Sequence, residues 1–495
     1  MSLAQRSITS VAWNVFANLF KIAILLVRSI WLARLLPVET FGVYALATSI
    51  VTFTGVIPMF GMASAFLHRS PETANEEQAA AVHFTLRLML TSCWAGILIL
   101  AAFLFAGAEL RLALIVLTLV FSGLYLTDTP KAILTRRVEH RRLAMLDLLT
   151  ALVTSIVAVY LAARGFGLTA LLATDIVTLT LAVIMLYLWQ PVWRPRLLWL
   201  RATVRYYLAF GGRAMLGGLL SDALDHLDDI WVGTFLGNQA LGFYSRAYTF
   251  ATYPRRLIAF PVNMVAGGTY AELKSDRLRL SQAFFRTNAL LVRSGFLIGG
   301  LLVLIAPEFV GIALGDKWLP MIPAFRLMTV FTLLDPIRIT VSQVFLAVGQ
   351  PERIIRVRIV QLIVLIAGLF AFGLSLGIEG VAIVMNLVLL AGLIPLLHAA
   401  REHVDLSVWR LFGAPAIALI IGIAAALGIT YWVCPGFTCP NHWITGFSKS
   451  IAFSLAFVGT IGSLEGKEAL ELIGRVTQIW RGKPMPGADQ SSNPE

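Results

Sequence analysis

Charge is scarce in this chain: 13% of its 495 residues are Asp, Glu, Lys or Arg, against 58% hydrophobic residues and a mean hydropathy of +0.82. No soluble globule of this length hides so much apolar surface in one core, so lipid must serve as solvent. Enzyme signatures are missing too: there is no HExxH, no metal-ligand cysteine spacing and no catalytic constellation. The nearest approach to a phosphate loop, Gly462 to Glu468, is one residue short and lacks the Ser or Thr that holds magnesium. The start MSLAQRSITS has one arginine and no cleavage site, and the first apolar run is too long for a signal peptide, so it is expected to stay as a span. Cysteine is scarce, with three in the chain. Cys93 lies inside a span; Cys434 and Cys439 share one loop, as a disulfide or as two free thiols.

What is present is about fourteen apolar stretches of roughly the length a bilayer requires. They fall near residues 9–34, 41–67, 83–107, 112–133, 144–163, 166–189, 207–236, 242–270, 287–313, 320–347, 356–376, 379–399, 409–432 and 446–464. The net charge of +12 does not form a nucleic-acid patch, because the bases recur in alternate loops: Lys131, Arg136, Arg137, Arg141 and Arg142, then Arg194, Arg196 and Arg201, then Lys274, Arg277 and Arg279, then Arg353, Arg356 and Arg358. The positive-inside rule places those loops and both termini in the cytoplasm. The expected fold is an all-α polytopic membrane protein.

The chain also says something twice. Residues 30–52 recur as 230–252, with Ile30/Ile230, Trp31/Trp231, Leu36/Leu236, Gly42/Gly242, Tyr44/Tyr244, Ala47/Ala247 and Thr52/Thr252 identical. A duplicated hydrophobic unit marks a secondary transporter whose site lies between pseudo-symmetric halves. An even number of spans per copy makes the repeats parallel. A second echo pairs Asp128, Pro130 and Lys131 with Asp335, Pro336 and Arg338, where each acid precedes a base by three residues and could neutralise it within the helix. The expected division is residues 1–200 and 201–402 as six-helix lobes, 403–465 as two added helices and 466–495 as a tail, amphipathic to about residue 481 and disordered beyond. A second interfacial segment is expected at 131–143. Pro58, Pro254, Pro261, Pro323 and Pro336 are expected to kink their spans.

Charges inside spans mark pathways or partners. Span one carries Lys21 and Arg28 on nearly one face; span seven carries Asp222, Asp225 and Asp229 with His226 on that stripe and Asp228 beside it, and Arg28 corresponds to Asp228 by the repeat offset. Two readings stand. Lys21, Arg28 and Arg213 bind an anionic group while the acids and His226 bind a coupling cation or sugar hydroxyls; or the charges of spans one and seven neutralise each other across the interface. Four acids within eight residues exceed what three bases need, which favours function.

The stretch Asp228 to Pro254, with Gly315-Asp316-Lys317-Trp318 and Ala347-Val348-Gly349-Gln350-Pro351, resembles the polysaccharide exporters, the Wzx-type flippases of the multidrug/oligosaccharidyl-lipid/polysaccharide exporter superfamily. The resemblance covers roughly residues 10–465. It implies two six-helix lobes in a V around a basic cavity, and transport of an undecaprenyl-diphosphate-linked oligosaccharide across the bacterial inner membrane. It makes Lys21, Arg28, Arg213 and Arg255 candidates for diphosphate contact, with Asp228 matching the family's span-seven acid. It implies no cofactor, no metal and no nucleic acid; its partners are membrane lipid and, beside a monomeric transporter, a polysaccharide polymerase and a chain-length regulator. The alternatives are a cation-coupled multidrug antiporter of the same superfamily and a membrane polymerase or ligase, which the short loop at 433–445 disfavours.

Overall fold

The computed structural model describes residues 3–69, 75–137, 139–433 and 442–480, and among them every regular element is a helix. Fourteen helices set the frame: α1 (Leu3–Leu35), α2 (Val38–Thr54), α3 (Glu76–Phe105), α4 (Ala108–Leu126), α5 (His140–Ala163), α6 (Leu168–Val183), α7 (Arg201–Phe235), α8 (Asn238–Ala251), α9 (Arg277–Leu304), α10 (Ile322–Ala347), α11 (Pro351–Gly368), α12 (Leu374–Ala400), α13 (Val408–Val433) and α14 (His442–Trp480). Ten stretches of the described residues are long and apolar enough to cross a membrane, fewer than the fourteen spans expected. Two causes are visible. One such stretch, Pro351–Ala400, holds both α11 and α12 and breaks at Gly377, and neither the charge-bearing α1 and α7 nor α8 with its continuation Phe260–Leu273 is among the ten. Large apolar side chains lie bare along the helix bodies, Ile156 at 69% and Leu455 at 71% exposure, as lipid allows and water does not.

The breaks follow the sequence. Pro37 has no N–H to offer Ala33 and so ends α1. After Pro58 the backbone turns left-handed at Phe60 (φ 42°) and Gly61 (φ 60°). That turn presses the Phe60 carbonyl onto Gly211 of α7, where a Cβ would stand 2.2 Å from it; the approach needs glycine. Pro254 is followed by one wide helical turn, Arg255–Ala259, before Phe260–Leu273 resumes. Two expected kinks are absent as such: Pro261 and Pro323 sit in the first turn of their helices, where the missing N–H is already an orphan. Nor is 131–143 one interfacial segment. Lys131 to Arg136 finish the helix Asp128–Arg136, which prolongs α4, and His140 opens α5. Helix α14 leaves helical geometry at Gly466 (φ 39°), where the tail was expected to start. The side chains of 467–480, the disordered stretch expected beyond, and the Cys434 and Cys439 pair lie outside the described residues; Cys93 is a free thiol.

Helices α1 with α5, α5 with α6, and α3 with α4 pack together in the first half; α9 with α10, α10 with α12, and α11 with α12 do so in the second. The halves meet where α2 lies on α7 and α8. Val204 and Tyr207 of α7 also join Met62, Phe66 and Val82 in a core of the first half, so α7 belongs to both. Helices α13 and α14 pack on one another and on α9. Two ion pairs pin α14 there: Arg293 to Glu465, with both bonds at 2.6 Å, and Lys449 to Glu308 at 2.5 Å.

Candidate functional site

The duplicated segment forms the contact between the halves, at the end where α1 turns into α2 and α7 into α8. A Cβ on Gly42 would stand 1.7 Å from the Asn238 carbonyl oxygen, and one on Gly242 would stand 2.2 Å from that of Val38. Residues 38 and 42 thus meet 242 and 238, a reciprocal contact about a pseudo-two-fold axis. The same end is closed by the turn after α9. Lys317 donates to the carbonyls of Arg34 (3.0 Å) and Leu36 (2.7 Å), and the Trp318 indole to that of Ala33 (2.9 Å). Arg34 answers with bonds to the carbonyls of Ala313 (2.7 Å) and Ile312. Each side therefore caps orphan carbonyls at a helix end of the other with a cation. Trp318 is fully buried between Phe41 and Phe243.

Beneath that seal lies a polar cluster from α1, α2, α6, α7 and α8. Arg28 is half-buried and donates to Thr154 of α5 at 3.2 Å. Arg246 of α8 stacks its guanidinium 4.7 Å from the centre of the Phe41 ring, close enough to Arg28 for the two charges to interact. The acids near them are held by hydroxyls: Tyr44 donates to Asp175 at 2.9 Å, Tyr244 to Asp228 at 2.6 Å and Ser49 to Asp229 at 2.9 Å. Among the described residues neither Arg28 nor Arg246 joins an ion pair. Asp229 lies close enough to Arg246, and Asp175 to Arg28, for their charges to interact, but no carboxylate among the described residues bonds either guanidinium directly, which leaves both able to take an anion.

The expected residues are spread over more than this one site. Lys21 faces α5 and pairs with Asp147 at 2.8 Å; it shares with Arg28 a register of 126 residues to its partner, so the basic face of α1 is turned to α5 and not to α7. Arg213 is exposed and, among the described residues, bonds its own helix at Ala209 (3.3 Å). Arg255 lies inside the second half, in a polar cavity of about 100 Å³ with Ser221, Asp225, Asp228, Tyr248, Arg338 and Arg358. There Asp335, fully buried, pairs with Arg255 (2.5 Å) and with Arg338 (2.7 Å). Asp128 repeats the device, with Lys131 at 3.9 Å and buried Arg87 at 3.0 Å. Each acid of the second echo thus has its helical neighbour and one more base from another helix. Asp222 and His226 sit half-buried on the same helix, and the His226 Nδ1 has no hydrogen-bond partner. No group of acids, histidines and cysteines fit for a metal occurs among the described residues.

Sequence reasoning missed Asp175, Arg246, Ser49 and Thr154. Tyr44 and Tyr244 stood among the seven repeat identities, and a pair of equivalent hydroxyls inside spans was a legible signal for acids beside them. Asp175 itself was one acid in an otherwise apolar run.

Fold and site together define a multi-pass helical membrane transporter built from two related halves. A model of the family of polysaccharide biosynthesis proteins matches residues 31–323, and the chain belongs to that family. It is 22% identical over 443 residues to the lipopolysaccharide biosynthesis protein WzxC of Escherichia coli (strain K12), covering 87% of this chain and 89% of that one. With the succinoglycan biosynthesis transport protein ExoT of Rhizobium meliloti (strain 1021) it shares 26% over 319 residues, 62% of this chain and 63% of ExoT. In fold it is similar to the lipid II flippase MurJ in an inward closed conformation, with a TM-score of 0.71 at 14% identity over 93% of this chain and 99% of MurJ. An inward-facing multidrug transporter of the MATE family follows at a TM-score of 0.59 and 17% identity, over 79% and 98%.

Proposed function

We propose that this protein is a flippase, not an enzyme, and that it moves an undecaprenyl-diphosphate-linked oligosaccharide from the cytoplasmic to the periplasmic leaflet of the inner membrane for export of a surface or secreted polysaccharide. Both termini then lie in the cytoplasm, and the seal at Trp318 faces the periplasm. The observation that carries this reading is the cluster beneath the seal, where Arg28 and Arg246 come from opposite halves and neither is joined to an acid. Carrying a diphosphate across about 30 Å of hydrocarbon requires fixed cations in place of its water. Two guanidinium groups offer ten N–H donors in the fork geometry that phosphate oxygens fit, roughly the best match a side chain makes. No covalent step is needed.

The cation-antiporter reading rests on the acids of α7, and those acids have company. Asp225, Asp228 and Asp335 share their neighbourhood with Arg255, Arg338 and Arg358, so that region offers an organic cation no excess of negative charge. The family-level relatives point the same way by name, to lipopolysaccharide and succinoglycan biosynthesis. A polymerase and a chain-length regulator are the partners such an exporter would hand its product to.

The test is a strain lacking the protein, complemented with wild type or Arg28→Ala. Lipid-linked repeat units should accumulate facing the cytoplasm in the deletion and in Arg28→Ala, with Arg28→Ala present in the membrane at wild-type abundance. Normal polymer output in the deletion sinks the flippase reading. Loss of the Arg28→Ala protein itself would assign the arginine to holding the fold.

A further inference from the structure

A groove of about 600 Å³ runs between α1 and α5 on the surface of the first half. Its walls are Ile24, Val27 and Trp31 on one side and Ile156, Val159 and Tyr160 on the other, and Arg28 is the one charged residue among those that line it. Val27, Trp31, Ile156 and Tyr160 are all more than half exposed although they lie within long helices, so none of the described residues covers them. The groove has polarity along its length. One end carries Trp31 and Tyr160, with the Arg164 guanidinium 5.3 Å from the centre of the Tyr160 ring, the amphipathic belt expected at a headgroup interface. The other end is apolar.

We propose that this groove seats the prenyl chain of the lipid-linked substrate while its diphosphate is held at Arg28; the inference rests on the flippase function proposed above. Depth selects the occupant. Arg28 lies seven residues before the end of α1, or about 10 Å below it at 1.5 Å per residue. A resident phospholipid keeps its phosphate at the interface, level with Trp31 and Arg164, and has no anion to place at Arg28. An amphiphile in passage does. Arg28 is also where groove and interior join, since it lines the groove and its guanidinium bonds Thr154 beside the polar cluster. Lys21, just below the groove and paired with Asp147, stands seven residues earlier, about 10 Å down the same helix. The diphosphate is therefore held at Arg28, which among the described residues pairs with no acid, while the chain slides between α1 and α5, and the hydrocarbon never leaves an apolar surface.

The experiment fills the groove without touching a charge. Val27→Trp and Ile156→Trp are reconstituted with the wild type in proteoliposomes, and flipping is measured for two diphosphate-linked glycans, one on an undecaprenyl and one on a geranyl chain. The rate ratio of long to short chain should fall at least about tenfold in the filled variants, the equivalent of roughly two buried methylenes. A photoreactive benzoylphenylalanine at position 156 should label the undecaprenyl substrate in preference to phosphatidylglycerol. An unchanged ratio, whether rates hold or fall together, or labelling of phosphatidylglycerol alone, overturns the groove assignment. Failure of the wild type to flip either glycan is a different result and sinks the proposed function.

Discussion

Replacing Trp318 by phenylalanine keeps an aromatic ring against Phe41 and Phe243 and removes one hydrogen bond, the indole N–H to the Ala33 carbonyl at 2.9 Å. That carbonyl has no other donor in its own helix, because the residue four positions on is Pro37. Trp318 is fully buried, so the orphaned oxygen gains no water in exchange. The cost of a buried acceptor left unmade is about 1 to 3 kcal/mol. It falls only on the conformation in which the turn after α9 is docked on α1, so the docked state should lose a factor of about 5 to 150 relative to any state open at this end. The assay is labelling of a buried interface cysteine. Leu46, on α2 against Gly233 of α7, is changed to Cys in a background lacking Cys93, Cys434 and Cys439, and an impermeant maleimide is applied from the periplasmic side. Trp318→Phe should raise the labelling rate by that factor. Lys317→Met, which loses bonds to Arg34 and Leu36, should raise it in the same direction. Equal rates in Trp318→Phe and the parent would refute the idea that these bonds hold the end shut.

Gly42→Ala and Gly242→Ala place a methyl 1.7 Å and 2.2 Å from a backbone oxygen of the other half, so each should force the halves apart and cost about 1 to 3 kcal/mol or more, read as a lower unfolding temperature in detergent and faster Leu46→Cys labelling. Asp335→Ala strands Arg255 and Arg338 in the second half and should destabilise by about 3 to 5 kcal/mol, seen as loss of folded protein; Asp335→Asn, which removes the charge but keeps the shape, should fold no better. Tyr44→Phe frees Asp175 from its hydroxyl and lets it compete for Arg28, so substrate affinity should fall, and Asp175→Asn in the same chain should restore it; additive losses in the double variant would remove Asp175 from the site.

The fold was legible because lipid imposes long apolar runs, and a run needs no partner to be recognised. Helix breaks were legible in the gap between the first two spans, which holds Pro37, and at Pro58, where proline decides the backbone; they were not legible at Gly61, inside the expected span 41–67, nor at Pro323, whose position in a first turn depends on where the 3₁₀ segment Asp316–Met321 ends. Site residues were harder for a definite reason. A charge in a span is visible in sequence, but its direction around the helix depends on which neighbour packs there. Lys21 and Arg28 share a face, as their seven-residue spacing required; that α5 covers this face is set by tertiary packing. Likewise the three-residue spacing of Asp335 and Arg338 announced their pair, while Arg255, 80 residues away, could join it only once α8 lay beside α10.

The repeat offset of two hundred residues is obeyed by the backbone and set aside by the charges, and the two facts are connected through the tyrosines. Tyr44 and Tyr244 are equivalent and each donates to a buried or half-buried aspartate. In the second half that acid is Asp228, on α7, at the position matching Arg28. In the first half it is Asp175, on α6. Supplying the acid from α6 satisfies the first tyrosine without using position 28, and position 28 is then open to a guanidinium. The same offset matches Arg246 to Leu46, so each half adds one arginine where the other has none. A strictly symmetric pair of halves could not do this: copying Asp228 onto position 28 would put two carboxylates where the site has one, and copying Arg28 onto 228 would leave Tyr244 without its acceptor. Symmetry in the glycine contacts fixes how the halves meet, and asymmetry one layer below leaves two cations that pair with no acid among the described residues.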